Sequence, residues 1–164
     1  MILYHGTTLE IRKPLILRSE LGRDFGSAFY TTDIPKQAER WALRRARLES
    51  RLTKNPAVPV VNLYEWDESA NLRILRFHEP SLEWLDMVVR CRSDASYTHG
   101  YDVVIGKIAD DNVGETVSFV QQGIMRREDA VARLQFEKIN NQLAFCTDRA
   151  LASLRFLRSY EPEV

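Results

Sequence analysis

Short apolar–polar alternations open the chain. "ILYHG", residues 2–6, alternates and ends in Gly, which predicts a first strand running into a turn. Residues 9–28 carry no period, because Pro14, Gly22 and Gly26 interrupt it. "AFYTT", residues 28–32, is aromatic and β-branched and predicts a second strand. Asp33 stands where a helix cap belongs, and Pro35 suits a first helical turn. "KQAERWALRRARLESRL" then has helical period, with Ala38, Trp41, Ala42 and Ala46 on one face and arginines crowding the rest. Trp41 reads as core for that reason. "NPAVP" ends the unit, and strands are predicted at 60–66 and 72–77. Ser81 caps "LEWLDMVVRC", whose apolar face is Leu82, Leu85, Val88 and Val89. Residues 101–108 predict a buried strand, 114–123 a short helix closed by Gly123, and 126–139 a helix with an acidic first turn. A strand at 141–147, a short helix capped by Asp148 and a last strand at 155–160 complete the chain.

Strands and helices interleave without strict βαβ alternation. That favours an α+β fold around split sheets over a doubly wound sheet. At 164 residues the chain suits one domain, 1–164, able to bury roughly 70% of its unfolded surface without a metal or disulfide staple. Formal net charge is zero, which removes any global electrostatic case for nucleic acid or an anionic membrane. Cys91 and Cys146 have no C-x-x-C spacing and read as free thiols. No basic segment leads into a long apolar run, and no run nears the ~20 residues of a membrane helix. The expectation is a cytoplasmic protein with no membrane partner.

The P-loop, the hydrolase nucleophile elbow, H-E-x-x-H and G-x-G-x-x-G are absent. His5, His78 and His99 lack metal-ligand spacing, so no metal site is expected. Three strand-associated positions remain: His5, Tyr30 and Gln142. A polar group at a strand end can reach a cleft while the sheet fixes its backbone. The plainer alternative is a loop histidine, a core tyrosine and an edge glutamine.

"YHGT", then "DFGSAFYTT", a Trp-containing helix and a late "NNQLAFCT" together resemble the ADP-ribosyltransferase superfamily. More narrowly, they resemble an uncharacterised, toxin-like bacterial family grouped with it. The likeness extends to "YDVVIGKIADD" and "DRALASLRF" and so spans nearly the whole chain. It implies a split, mostly antiparallel β core with flanking helices and an NAD cleft between its halves. It also implies mono-ADP-ribosyl transfer or NAD hydrolysis at the nicotinamide–ribose bond. In that frame His5 holds the adenosine ribose, Gly6 offers backbone to the carboxamide, and Tyr30 stacks on the nicotinamide. Thr7, Phe25 and Gly26 complete the NAD-binding set. Gly6 and Gly26 would let backbone approach the ligand closely. Gln142 falls where many members carry the catalytic Glu.

Gln142 can accept a ribose hydroxyl but carries no charge. A unit charge about 4 Å from the developing cation is worth roughly 4 kcal/mol at an effective dielectric near 20, or about three powers of ten in rate. The chain is therefore a slow transferase, uses another carboxylate, or binds without catalysing. Asp110 is the substitute acid best placed by sequence, with Asp111 beside it, although Asp-Asp-Asn is also ordinary turn chemistry. Asp24, just before the Gly26 turn, is a lesser candidate for orienting a ligand. Asn140, two residues before Gln142, does not support an arginine acceptor. The acceptor is left open among protein, nucleic acid, small molecule and water, and a neutralising antitoxin fits a toxin-like protein. "RRARLESR", residues 44–51, reads as a solvated helix face with nucleic acid as the alternative. The RNA 2′-phosphotransferase branch ranks last, since its basic, histidine-rich site is not visible.

Overall fold

A computed structural model describes residues 1–16, 18, 23–108, 111–135 and 140–163. Along the chain come β1 (Ile2–Thr7), β2 (Phe29–Thr31), α1 (Pro35–Thr53), β3 (Val60–Trp66), β4 (Ile74–Arg76) and α2 (Leu82–Ser93). Then follow β5 (Val103–Ile108), α3 (Asp111–Gln121), α4 (Arg127–Leu134), β6 (Asn140–Phe145), α5 (Asp148–Leu151) and β7 (Leu154–Tyr160). The strands form two sheets, ordered β1-β3-β7 and β2-β6-β5-β4. Every pairing is antiparallel except β4 with β5. The sheets meet at an isolated bridge, where Tyr4 and Thr32 exchange backbone hydrogen bonds of 2.8 and 2.9 Å. The expected mixed α+β architecture with split, mostly antiparallel sheets is what folds.

Alternation along the strands builds three cores. Leu3, Tyr64 and Trp66 of the first sheet share one cluster with Phe29, Val103, Leu143 and Phe145 of the second. The first sheet's other side, with Val61 and Leu63, packs on Ala38 and Ala42 of α1. The second sheet's other side, with Val104 and Ala144, lies under Trp84, Leu85 and Val88 of α2 and under Val117 and Leu134 of α3 and α4. β3 is buried along nearly its full length because it is the central strand of its sheet and is covered on both faces. Among the described residues, no helix is long and apolar enough to cross a membrane.

Several local expectations change. Ile34, not Asp33, is the N-cap of α1 and gives no side-chain bond, while Pro35 does occupy the first turn. Asp33 instead accepts Asn141 Nδ2 at 3.2 Å, because the chain turns into α1 beside the start of β6. Ser81 caps α2 as expected, accepting Trp84 N–H at 3.1 Å. The buried face of α2 is rotated, however, through Trp84 and Met87, and Leu82 is left 39% exposed. Trp41 is half-buried. Thr147, not Asp148, caps α5 and accepts Ala150 N–H at 3.1 Å, so Asp148 is the first helical residue. α3 begins at Asp111 and is closed by Gly123 at φ 72. The predicted helix at 126–139 runs from Arg127 to Leu134, and residues 136–139 lie outside the described residues.

Candidate functional site at the seam between the sheets

His5 stands in β1 one residue past the Tyr4–Thr32 bridge. Its ring packs on Phe29, with centroids 4.4 Å apart, and its Nδ1 lies 2.7 Å from the Tyr30 carbonyl oxygen. A carbonyl can only accept, so Nδ1 carries the proton. Desolvation, opposed by that hydrogen bond and aided by the Arg23 charge, holds the imidazole pKa down at about 4. At neutral pH the ring is therefore neutral, and Nε2 is left as a hydrogen-bond acceptor.

The Phe25–Gly26 turn is braced from three sides. Gly26 takes φ 78, a conformation that favours glycine, so its lack of Cβ serves the turn itself. The Tyr30 hydroxyl donates to Gly26 O and accepts Phe25 N–H at 3.3 Å. Burial pushes that phenol well above its ordinary range, and the Arg23 guanidinium lies 5.6 Å from the ring centroid. Asp24, buried, accepts Arg92 Nε at 2.7 Å and anchors the turn to α2. His99 Nδ1 accepts Tyr101 N–H at 3.1 Å, which leaves Nε2 protonated to donate to Phe25 O at 3.1 Å. His99 and Asp24, the lesser candidate for orienting a ligand, both hold the turn. The 74 residues between Phe25 and His99 explain why no local pattern marks the pair.

Gln142 is buried in β6, opposite Gly106 of β5. A Cβ on Gly106 would stand 2.9 Å from Phe25 Cζ and 3.5 Å from Trp84 Cδ1, so the Phe25 ring covers this strand pair. Gln142 Oε1 is buried without a hydrogen-bond partner among the described residues, and so is Trp84 Nε1. An acceptor and a donor are thus left unsatisfied near Gly106, which is costly unless a water or ligand joins them. Tyr30 pairs with Ala144, two residues from Gln142, so alternation puts Tyr30 and Gln142 on one face of the second sheet. Phe29, and the His5 ring against it, belong to the opposite face. The structure therefore joins Phe25, Gly26, Tyr30 and Gln142 around one turn. His5 meets that group through the Tyr30 backbone.

Gly6 has a different reason to be glycine. A Cβ there would stand 2.0 Å from Ala38 O and 2.8 Å from Ala42 N. The close approach is to α1. Thr7 ends β1, paired with Val60. Asp110 lies outside the described residues, and Asp111 opens α3 instead of forming a turn. A cavity of about 270 Å³ opens at the ends of β4, β5 and β6. Asp33, Arg76, His78 and Asn141 rim it, and Ile105 and Leu143 are among its other lining residues. β6 thus shows Asn141 to this opening and turns Gln142 away. Arg76 was missed because it sits in an alternating strand run with no motif around it. Burial pushes the free thiols of Cys91 and Cys146 up to about 11 and 12. Among the described residues, no group of three His, Cys, Asp or Glu side chains is placed to hold a metal ion.

Fold and site define a mixed α+β protein with split sheets, a neutral histidine at their seam and a braced glycine turn beside it. Residues 1–156 match the family described as "Protein of unknown function (DUF3990)", and the chain belongs to that family. No curated protein and no solved structure matches it.

Proposed function

We propose that the protein is an NAD-dependent enzyme of ADP-ribosyltransferase type, toxin-like or an effector. It would cleave the nicotinamide–ribose bond and pass ADP-ribose to an acceptor. The observation that carries this reading is the 2.7 Å bond from His5 Nδ1 to Tyr30 O at the seam of the split core. It leaves a neutral imidazole with Nε2 as an acceptor, the chemistry that a ribose hydroxyl donor requires. The Tyr30 hydroxyl is committed to the Gly26 turn, so this residue offers a ligand its ring and not its oxygen. Gln142 would orient the nicotinamide ribose through Oε1, which has no other partner among the described residues. The split-core resemblance adds the expectation of a cleft between the halves.

A second reading, NAD recognition with little or no turnover, is favoured by Gln142 itself. It is uncharged, and Phe25 lies over the strand pair that carries it. Titration calorimetry with NAD and chromatographic detection of released nicotinamide test both readings. Binding with slow release of nicotinamide is expected, and Tyr30→Ala should lose most of the affinity. Binding without release selects the recognition reading. Equal NAD binding by wild type and Tyr30→Ala would remove Tyr30 from the site. No thermal stabilisation at millimolar NAD together with no release would sink the proposal.

A further inference from the structure

The solvent side of α1 carries a feature that the seam does not use. Lys36, Arg40, Arg44, Arg47 and Arg51 recur at spacings of four, four, three and four residues. At 3.6 residues per turn they project within an arc of about 80°, along roughly 22 Å of helix. All five are exposed, while Ala38, Ala42 and Ala46 form the buried stripe on the opposite side. Lys36 also pairs with Glu39 at 2.9 Å, and Arg40 and Arg44 have interactions within the molecule as well. Leu48 and Leu52, one turn apart and 49% and 75% exposed, follow on the adjoining arc. The chain as a whole is neutral, so this concentration of cations is local.

We propose that this face of α1 docks an acidic amphipathic segment of a protein partner, laid along the helix. The basic row would meet its carboxylates, and Leu48 and Leu52 would take its apolar side chains. Charge complementarity selects an anionic partner. The leucines select protein over nucleic acid, since single-stranded nucleic acid is gripped by cations interleaved with exposed stacking aromatics, and here the exposed flank is Leu48 and Leu52 while Trp41 on the same arc is half-buried. Helix-on-helix recognition uses anchors one turn apart, the spacing of Leu48 and Leu52.

Fluorescence anisotropy with a designed acidic helical peptide, its glutamate row flanked by leucines, tests this on the full chain. Controls are the same peptide with serine for leucine, and a single-stranded oligothymidylate. The leucine peptide should bind, more weakly as salt rises. Arg40→Glu with Arg44→Glu should weaken it at least about tenfold. Arg126→Glu, exposed and outside α1, should change binding much less, which separates the face from net charge. Leu48→Ser with Leu52→Ser should weaken binding several-fold. All these positions are exposed, and unchanged thermal unfolding of each variant confirms that the fold is kept. The proposal is overturned if the leucine peptide does not bind, or if the Arg40/Arg44 variant binds it like wild type. It is equally overturned if the serine peptide or the oligothymidylate binds as tightly, which would mark a general polyanion surface.

Discussion

Protonation of His5 should cost the fold a definable amount. The imidazole is held at about 4 against an ordinary 6.5, chiefly by desolvation, with the Tyr30 carbonyl hydrogen bond opposing. The folded-state pKa is depressed, so the unfolded chain binds the extra proton first. The contribution is fully present above 6.5 and is lost as pH falls from 6.5 toward 4. A shift of this size amounts to about 3 kcal/mol in full, of which about 2 kcal/mol is lost between pH 7 and pH 5. His99 titrates with the same sign, its pKa lowered first by desolvation, so a bare pH profile would mix the two. His5→Asn separates them, because its amide N–H can replace the Nδ1 donor to Tyr30 O without titrating. Urea unfolding of both proteins near pH 7 and near pH 5 is the assay. Wild type should lose about 2 kcal/mol more than His5→Asn over that interval. Nitrogen-15 NMR at neutral pH should find the His5 proton on Nδ1. Parallel pH profiles, or a proton on Nε2, would refute the reasoning and remove the acceptor on which the NAD reading rests.

Gly6→Ala should destabilise severely, by about 3 kcal/mol or more, because its Cβ would stand 2.0 Å from Ala38 O and β1 and α1 would have to separate. Thermal unfolding checks this, and a melting temperature near wild type would show that the helix yields easily. Asp102→Ala should cost about 3 kcal/mol in urea unfolding. The buried carboxylate accepts Arg73 N–H at 2.8 Å and Thr147 Oγ1 at 2.7 Å and pairs with Arg149, and its loss leaves those donors short of a partner. Burial alone would raise the Asp102 pKa, but Arg149, Thr147 and the Arg73 amide overcome it and hold it at about 2. Its contribution is therefore present above 3.8 and is lost as pH falls through 2, and a wild-type profile flat down to pH 2 would contradict it.

Much of the architecture was legible because it rests on local rules. The strand-forming run at residues 60–66 and the arginine-crowded period of α1 announce their elements, as does Ser81 ahead of α2. Other expectations failed where a distant residue competed. Asp33 has good cap chemistry, yet Asn141, 108 residues away, takes its carboxylate. Leu82 shares a helical face with Leu85 in the sequence, yet Leu85 is buried beside Trp84 and Met87 while Leu82 is exposed. The same limit governs the site. "YHGT" and "DFGSAFYTT" directed attention to His5, Tyr30 and the Gly26 turn, and the seam joins all three.

From sequence alone came the element order, the mixed α+β class, and a short set of polar and aromatic strand positions. These depend on periodicity and on side-chain chemistry, which travel with the chain. Only tertiary structure decided which tautomer His5 adopts, that Gly6 yields its Cβ space to α1, and that Phe25 lies over the Gly106–Gln142 pair. Each of these depends on a contact between segments 25 to more than 80 residues apart. Hydrogen-bond direction and steric room are properties of such contacts, and no local pattern encodes them.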